Sequence, residues 1–397
     1  MKCYKGIIKT MGPVFVGDGG RLEKSDYVLN INNKMMYVMD TFKMFQGLKK
    51  LGKLEAYEDF MLNNRYSDLY SFIKDNELLN DYADWAKYSY YVDFNMKQRG
   101  TQISTCIKDA YNKPYIPGSS IKGALRNAIL NAELITNNRK YSAMALQVKN
   151  ETYRNRKGYL AGVANSIEKK AGFMDDDKDK LYSKFTGIRV SDSSPLSEKD
   201  IIMCAKLDTL PMHTDSKKRE RQLPVLRECI KPNTTIEFTL EIDEKFCDYS
   251  LKDIENSIGL MYNNTYDKFL SAYSLEKVST KLNPLYIGGG VGYQSKTVTY
   301  SLFDDKDEAV EAVSVILDNV DSKKQNSNRK NGGKNGDKMG NHLMDPDLFG
   351  VSPHMRKCTL YRNTNYDFGL CSVKFEPIGW LSHFQGFFGI VEHNLCT

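Results

Sequence analysis

The sequence predicts an α+β fold, and three stretches carry the prediction. Residues 234–244 alternate, with Ile236, Phe238, Leu240 and Ile242 on one side and Glu237, Thr239, Glu241 and Asp243 on the other, the pattern of a strand with one buried face. Ile121, Leu125, Ala128, Ile129 and Ala132 recur at i, i+4, i+7, i+8 and i+11, one face of a helix. Residues 251–273 repeat that spacing with Ile254, Ile258, Met261 and Tyr262.

The remaining elements follow in chain order. Residues 4–10 read as a first strand. Gly12-Pro13 and Val14-Phe15-Val16 then enter Gly17-Asp18-Gly19-Gly20-Arg21, either a close backbone approach anchored by Arg21 or a plain turn. Residues 26–40 form a hairpin turning at Asn32-Asn33. The Tyr-rich stretch 42–91 reads as helical, packing through Leu51, Leu54, Phe60, Leu69, Phe72, Ile73, Trp85 and Tyr88. The helix over 119–134 is followed by a basic helical stretch, 139–170, whose Arg154, Arg156, Lys157, Lys169 and Lys170 make a solvated face, and by an acidic loop at 175–179. Strands are expected at 187–192 and 201–206, an exposed loop at 213–221, and a short helix at 304–319. Residues 322–341, rich in Asn, Gly and Lys, read as disordered or mobile. A last strand places Cys371, Val373 and Phe375 on one face, before a Gly- and aromatic-rich tail at 379–389. A chain of 397 residues predicts two domains, 1–225 and 226–397, the second carrying the glycine-rich loop and the 322–341 insertion.

Composition narrows the class. With 41% apolar and 27% charged residues, the chain reads as soluble and globular. A net charge of +6 suits nucleic-acid binding without requiring it, and 25 tyrosines and 18 phenylalanines supply faces for stacking or for the core. The eight cysteines form no C-x-x-C pair and read as free thiols in a reducing compartment. With no signal-peptide pattern and no run of eighteen apolar residues, the expectation is a cytoplasmic protein that does not touch membranes.

Two motifs offer binding chemistry. In residues 114–126, PYIPGSSIKGALR, Ser119 and Ser120 stand at the N-cap of a helix, and Lys122 and Arg126 form a row beside its buried stripe. Free N–H groups, hydroxyls and two cations there suit a phosphate, although a capped surface helix has the same signature. In the second, Gly288, Gly289, Gly290 and Gly292 surround Val291, four glycines in five residues. They let a main chain lie against a ligand, with Tyr293 placed to stack on a base and Lys296 to meet a phosphate. The spacing is neither a P-loop nor a dinucleotide-binding fingerprint. The five histidines form no metal-binding pattern and no nucleophile elbow occurs, so neither a catalytic residue, a metal nor a cofactor is expected. A nuclease built on an isolated His and Lys leaves no local signature, and that alternative stays open.

Four ordered segments resemble one family: 115–126; 226–234, LRECIKPNT; 287–297, IGGGVGYQSKT; and 369–375, GLCSVKF. The first and third resemble the helix-start and glycine-loop signatures of the RAMP superfamily, RNA-binding subunits of CRISPR effector complexes. The others, with the opening GPVFVGDG at 12–19, are similar to the fifth-subunit family of type III-A (Csm) complexes. That resemblance implies ferredoxin-like (RRM-like) units, two of them with helical insertions, and a non-catalytic RNA-binding role. It implies partners too: a guide crRNA whose 3′ part is capped, target RNA, the repeated backbone subunit, the small helical subunit, and host nucleases recruited for crRNA maturation in antiviral defence. Ser119, Ser120, Lys122, Arg126, Gly288, Gly289, Gly290, Gly292, Tyr293 and Lys296 are the expected RNA contacts, with Arg21, Arg227 and Lys231 beside them. In the related backbone subunit, which cuts target RNA, an aspartate precedes the PYIPGSS-type motif; the matching stretch 100–109 has only Asp109, close to the motif. Asn233 departs from the family by standing where glycine is usual, and 322–341 has no counterpart.

Overall fold

The computed structural model describes residues 1–63, 68–92, 102–154, 159–173, 183–212, 219–330 and 342–378. The strands are β1 (Lys2–Thr10), β2 (Gly17–Leu22), β3 (Tyr27–Asn30), β4 (Met35–Met39), β5 (Ala86–Tyr91), β6 (Ile103–Cys106) and β7 (Ile188–Val190). There follow β8 (Ile201–Thr209), β9 (Glu220–Ile230), β10 (Thr235–Ile242), β11 (Pro284–Tyr286), β12 (Arg356–Tyr361), β13 (Thr364–Asp367) and β14 (Leu370–Pro377). The helices are α1 (Thr41–Lys50), α2 (Leu54–Asn63), α3 (Leu69–Asp75), α4 (Gly118–Thr136), α5 (Asn138–Arg154), α6 (Tyr159–Ala171), α7 (Leu251–Lys268), α8 (Thr299–Leu302), α9 (Lys306–Lys330) and α10 (Asp345–Phe349).

Three sheets organise these elements. A five-stranded sheet runs β11-β14-β1-β10-β7, each neighbouring pair antiparallel. Its buried Ile8, Ile236, Phe238, Leu240, Val373 and Phe375 join one core with Ile121, Leu125 and Ile129 of α4 and Ile254 and Ile258 of α7. A six-stranded sheet runs β13-β12-β8-β9-β6-β2, with β6 and β9 the parallel pair among antiparallel neighbours. The third sheet, β3-β4-β5, packs one face toward β8 and β9 through Tyr27, Met36, Tyr88 and Tyr90, and the other toward the core of α1, α2 and α3. The expected boundary at 225/226 falls inside β9, and both larger sheets draw strands from either side of it.

Several expectations change. Residues 17–22 are not a turn but β2, the edge of the six-stranded sheet. Residues 86–91 form a strand rather than a helix, because Tyr88 and Tyr90 alternate inward while Lys87 and Tyr91 face water. Leu51 is exposed, since it caps α1 instead of packing. Residues 322–330, expected to be mobile, continue α9 as helix. Residues 331–341 lie outside the described residues, as do 100–101, Arg156, Lys157, the acidic loop, 213–218, the aromatic tail and Cys396. The other seven cysteines are free, and no described helix is long and apolar enough to cross a membrane.

A buried charge pair ties the second and third sheets together. Glu228 of β9 is fully buried and meets the Lys108 ammonium at 2.5 Å. Its carboxylate also accepts from the Tyr88 hydroxyl at 2.8 Å and the Cys106 amide at 3.2 Å. Burial works to lower the Lys108 pKa, but Glu228 and Cys106 together outweigh it and the net direction is upward. The carboxylate is therefore satisfied from β5, from β6 and from the segment leading into α4. Glu228→Ala would strand the Lys108 charge, and thermal or urea unfolding should show a loss of about 3–5 kcal/mol. A loss below about 1 kcal/mol would mean the pair does not organise this junction. Because the Lys108 pKa is raised on folding, its contribution is complete below the ordinary lysine range. It is lost as pH climbs through the raised value.

Candidate nucleic-acid interface

The start of α4 is built by close packing rather than by a turn. A Cβ on Gly118 would lie 2.3 Å from the Val190 carbonyl oxygen and 2.6 Å from that of Ser191, so only glycine lets the helix begin against the end of β7. Pro117, not a serine, is the N-cap, and its side chain makes no capping bond. Ser119 and Ser120 therefore occupy the first turn itself, with Ser119 exposed. The Gly118 amide donates to Asp192 at 2.7 Å, so a carboxylate already stands at the positive end of the helix.

The basic row on α4 is anchored in the fold. Arg126 makes a two-pronged pair with Glu168 of α6, at 3.1 and 2.7 Å, and lies over the Phe173 ring. Lys122 lies over the Phe185 ring at 5.3 Å; burial, with Arg189 nearby, lowers its pKa. One position on from Arg126, Asn127 donates to the Ser295 carbonyl at 3.0 Å, linking α4 to the end of the glycine loop. Lys122 and Arg126 thus face Phe185 and Phe173 while the neighbouring row faces the loop, and the two expected walls sit on different faces of α4.

The glycine loop closes a seam between the two larger sheets. Gly288 has φ 87°, and a Cβ there would lie 2.2 Å from the Phe15 carbonyl oxygen. The Gly289 amide donates to that same oxygen at 2.6 Å. On the far side, the Ile287 amide donates to the Gly369 carbonyl and the Gly369 amide to the Pro13 carbonyl, both at 2.8 Å. Three backbone segments (11–16, 287–290 and 367–370) therefore interlock with no room for a side chain at Gly288 or Gly369. Beneath Gly290 lies Arg227, its guanidinium 5.1 Å from the Phe15 ring centre and 5.6 Å from that of Phe368. Arg227 Nη1 is buried and has no hydrogen-bond partner among the described residues.

The other candidates are distributed differently. Tyr293 is packed edge-on to Tyr300, with its hydroxyl 3.3 Å from that of Thr299, so its ring belongs to the core. Lys296 is exposed. Arg21 is exposed on β2 and donates to Gln102 at 3.0 Å. Lys231 pairs with Asp200 at 2.8 Å. Asn233 has φ 63°, which accounts for asparagine where glycine is usual. One residue escaped sequence reasoning: Lys206 of β8. Half-buried, its pKa is lowered first by burial and then by Lys357; Asp208 pulls it upward, and Arg227 adds a smaller lowering. Lys206, Arg227 and Lys357 thus form a cation cluster across β8, β9 and β12. Among the described residues only Lys357 of the three is ion-paired, with Asp208 at 2.7 Å. Such mutual repulsion is what a bound polyanion would relieve.

A family model named RAMPs: RAMP superfamily matches residues 7–293, which span β1, the start of α4 and the glycine loop. The chain belongs to the RAMP superfamily. This RAMP protein is 25% identical to the CRISPR system Cms protein Csm5 of Enterococcus italicus over 95% of its own length and 99% of the relative's. The Csm5 of Streptococcus thermophilus is 27% identical, over 75% of this chain and 80% of that one. The fold is also that of solved structures. It resembles the crystal structure of T.onnurineus Csm5 (TM-score 0.55, 20% identity, covering 75% of this chain and 93% of that one). It also resembles a chain in a Csm–crRNA–target RNA ternary complex of a type III-A CRISPR-Cas system (TM-score 0.59, 18% identity, 94% and 100%).

The RAMP chain's cation cluster carries a stability signature. Lys206→Met should raise unfolding free energy at neutral pH by about 0.5 kcal/mol, a figure already reduced for solvent screening at a half-exposed site. The gain should shrink as pH rises through the lowered Lys206 pKa, where the wild-type side chain sheds its charge. Equal or lower stability of the variant in chemical denaturation would remove Lys206 from the cluster.

Proposed function

We propose that this chain is the fifth subunit of a type III-A CRISPR effector complex, a non-catalytic protein that caps the 3′ part of the guide crRNA. One observation carries the reading: the near end-to-end match, in both directions, to a curated Csm5. The segment β1-α4-β7-β10-α7-β14, in the spatial order β14-β1-β10-β7, is then a ferredoxin-like unit, and the six-stranded sheet is the body of the second. The two units are interleaved along the chain rather than divided at 225/226.

Guide sequences vary, so the grip must fall on the sugar-phosphate backbone, whose contacts position without specifying. Arg227, Lys206 and exposed Lys296 at the glycine seam make the primary contact. Lys122 and Ser119 at the start of α4 extend it, and Arg126 contributes by holding that helix to α6. Partners are the crRNA, the target RNA paired to it, the repeated backbone subunit and the small helical subunit; maturation of the guide's 3′ end proceeds through recruited nucleases. Asp109 supports the absence of cleavage: its carboxylate accepts the Tyr111 and Lys113 amides at 2.9 and 2.8 Å, the work of a turn residue.

Salt-dependent RNA binding tests the assignment. Arg227→Ala and Lys206→Met should each weaken affinity for single-stranded RNA, and each lost phosphate contact should flatten the log–log salt slope by about 0.7. The same loss should appear with unrelated RNA sequences. An unchanged slope in both variants would reject the seam as the interface. Cleavage of labelled RNA by the purified chain, abolished by a single substitution, would replace the capping reading with an endonuclease.

A further inference from the structure

The histidines look scattered in sequence, yet the fold gathers two of them around one carboxylate. His342 opens a short 3-10 turn, Asp345 begins α10, and His354 lies just before β12. All three are buried, Asp345 to within 1%. His342 Nδ1 lies 2.8 Å from one Asp345 oxygen and His354 Nδ1 lies 2.7 Å from the other. The imidazole rings are 5.1 Å apart, and His354 is also stacked on Phe349. Donor atoms from the three side chains all fall within 4.8 Å of one another.

We infer that His342, Asp345 and His354 form a binding site for a divalent transition metal of the zinc class. The donor set is chemically apt, because imidazole and carboxylate are borderline and hard ligands that zinc-class ions accept together. All three ligands come from thirteen consecutive residues, so closing the chelate costs little chain entropy. A purely hydrogen-bonded knot would also satisfy the carboxylate, which accepts from Ser352 at 2.9 Å and from the His354 amide at 3.2 Å. Such a knot offers no stability over apolar packing of the same volume. Tetrahedral zinc would set neighbouring donors about 3.4 Å apart, so the imidazoles, now at 2.8 and 2.7 Å, need to retreat from the carboxylate by about 0.6–0.7 Å. The ion would then pin the 342–354 segment beside β12, on the same sheet as the cation cluster.

The test uses the full chain, expressed without a histidine tag. Purified protein should contain one equivalent of zinc by mass spectrometry. Cobalt(II) added to the metal-stripped protein should give the visible absorption of a low-symmetry imidazole site. Asp345→Asn should lower zinc affinity by roughly ten- to a hundredfold, and His342→Asn/His354→Asn should abolish both the zinc and the cobalt signal. Wild-type protein that takes up neither metal overturns the inference, whether or not the variants fold. Metal retained at full stoichiometry in the double variant overturns it too, because it would then sit on other residues.

Discussion

The structure depends on a place where no Cβ fits. Gly12, Gly288 and Gly369 sit where the chain crosses between the two larger sheets. A methyl group on them would meet the Asp367, Phe15 and Ile287 carbonyl oxygens at 2.0, 2.2 and 2.3 Å. Backbone cannot yield as a flexible side chain can, so the mutual placement of the sheets is fixed by main-chain contact. That placement sets Arg227 between Phe15 and Phe368 and lays the glycine loop over it. Glu228, the next residue along β9, points to the opposite face and fastens the third sheet. Two adjacent residues thus serve opposite sides of one strand, a consequence of its two-residue period.

Much of this was legible in the sequence wherever periodicity decides it. The strand at 234–244, the helices at α4 and α7 and the hairpin at 27–39 follow from which residues are apolar and how they are spaced. Gly118 and the 288–292 cluster announced themselves as special, but their reason differs from the one composition suggests. They make room for the protein's own backbone before they make room for a ligand. What could not be read were pairings over long separations: Arg126 with Glu168, Lys108 with Glu228, Tyr88 with Glu228. Each residue alone looks like a surface charge or a core aromatic, and only the fold supplies its partner. Lys206 escaped for a related reason. In sequence it is an outward residue at the end of a short strand, and only the neighbouring β9 and β12 make it one of three crowded cations.

The basic residues therefore fall into two kinds. Arg126 and Lys231 are neutralised within the fold, as helix-to-helix and loop-to-loop fasteners. Arg227 and Lys206 have no ion-pair partner among the described residues, and they sit where burial makes an unrelieved charge costly. An isolated protein retains such an arrangement at the expense of stability. Asp192 marks the same division at the start of α4: the helix end most suited to an anion carries one of the protein's own.

The pairing of β1 with β14 brings together residues such as Gly6 and Phe375 from opposite ends of the chain. On the ribosome, the first strand emerges long before its partner exists. At about 5–20 residues per second, roughly twenty seconds to over a minute of synthesis separate the two. During that interval β1 can pair with β10 but has an open edge, and the seam lacks its 367–370 segment. Folding dominated by such non-local closure is slow. The five-stranded sheet therefore cannot be completed until β14 has been made, because β14 alone covers that edge of β1.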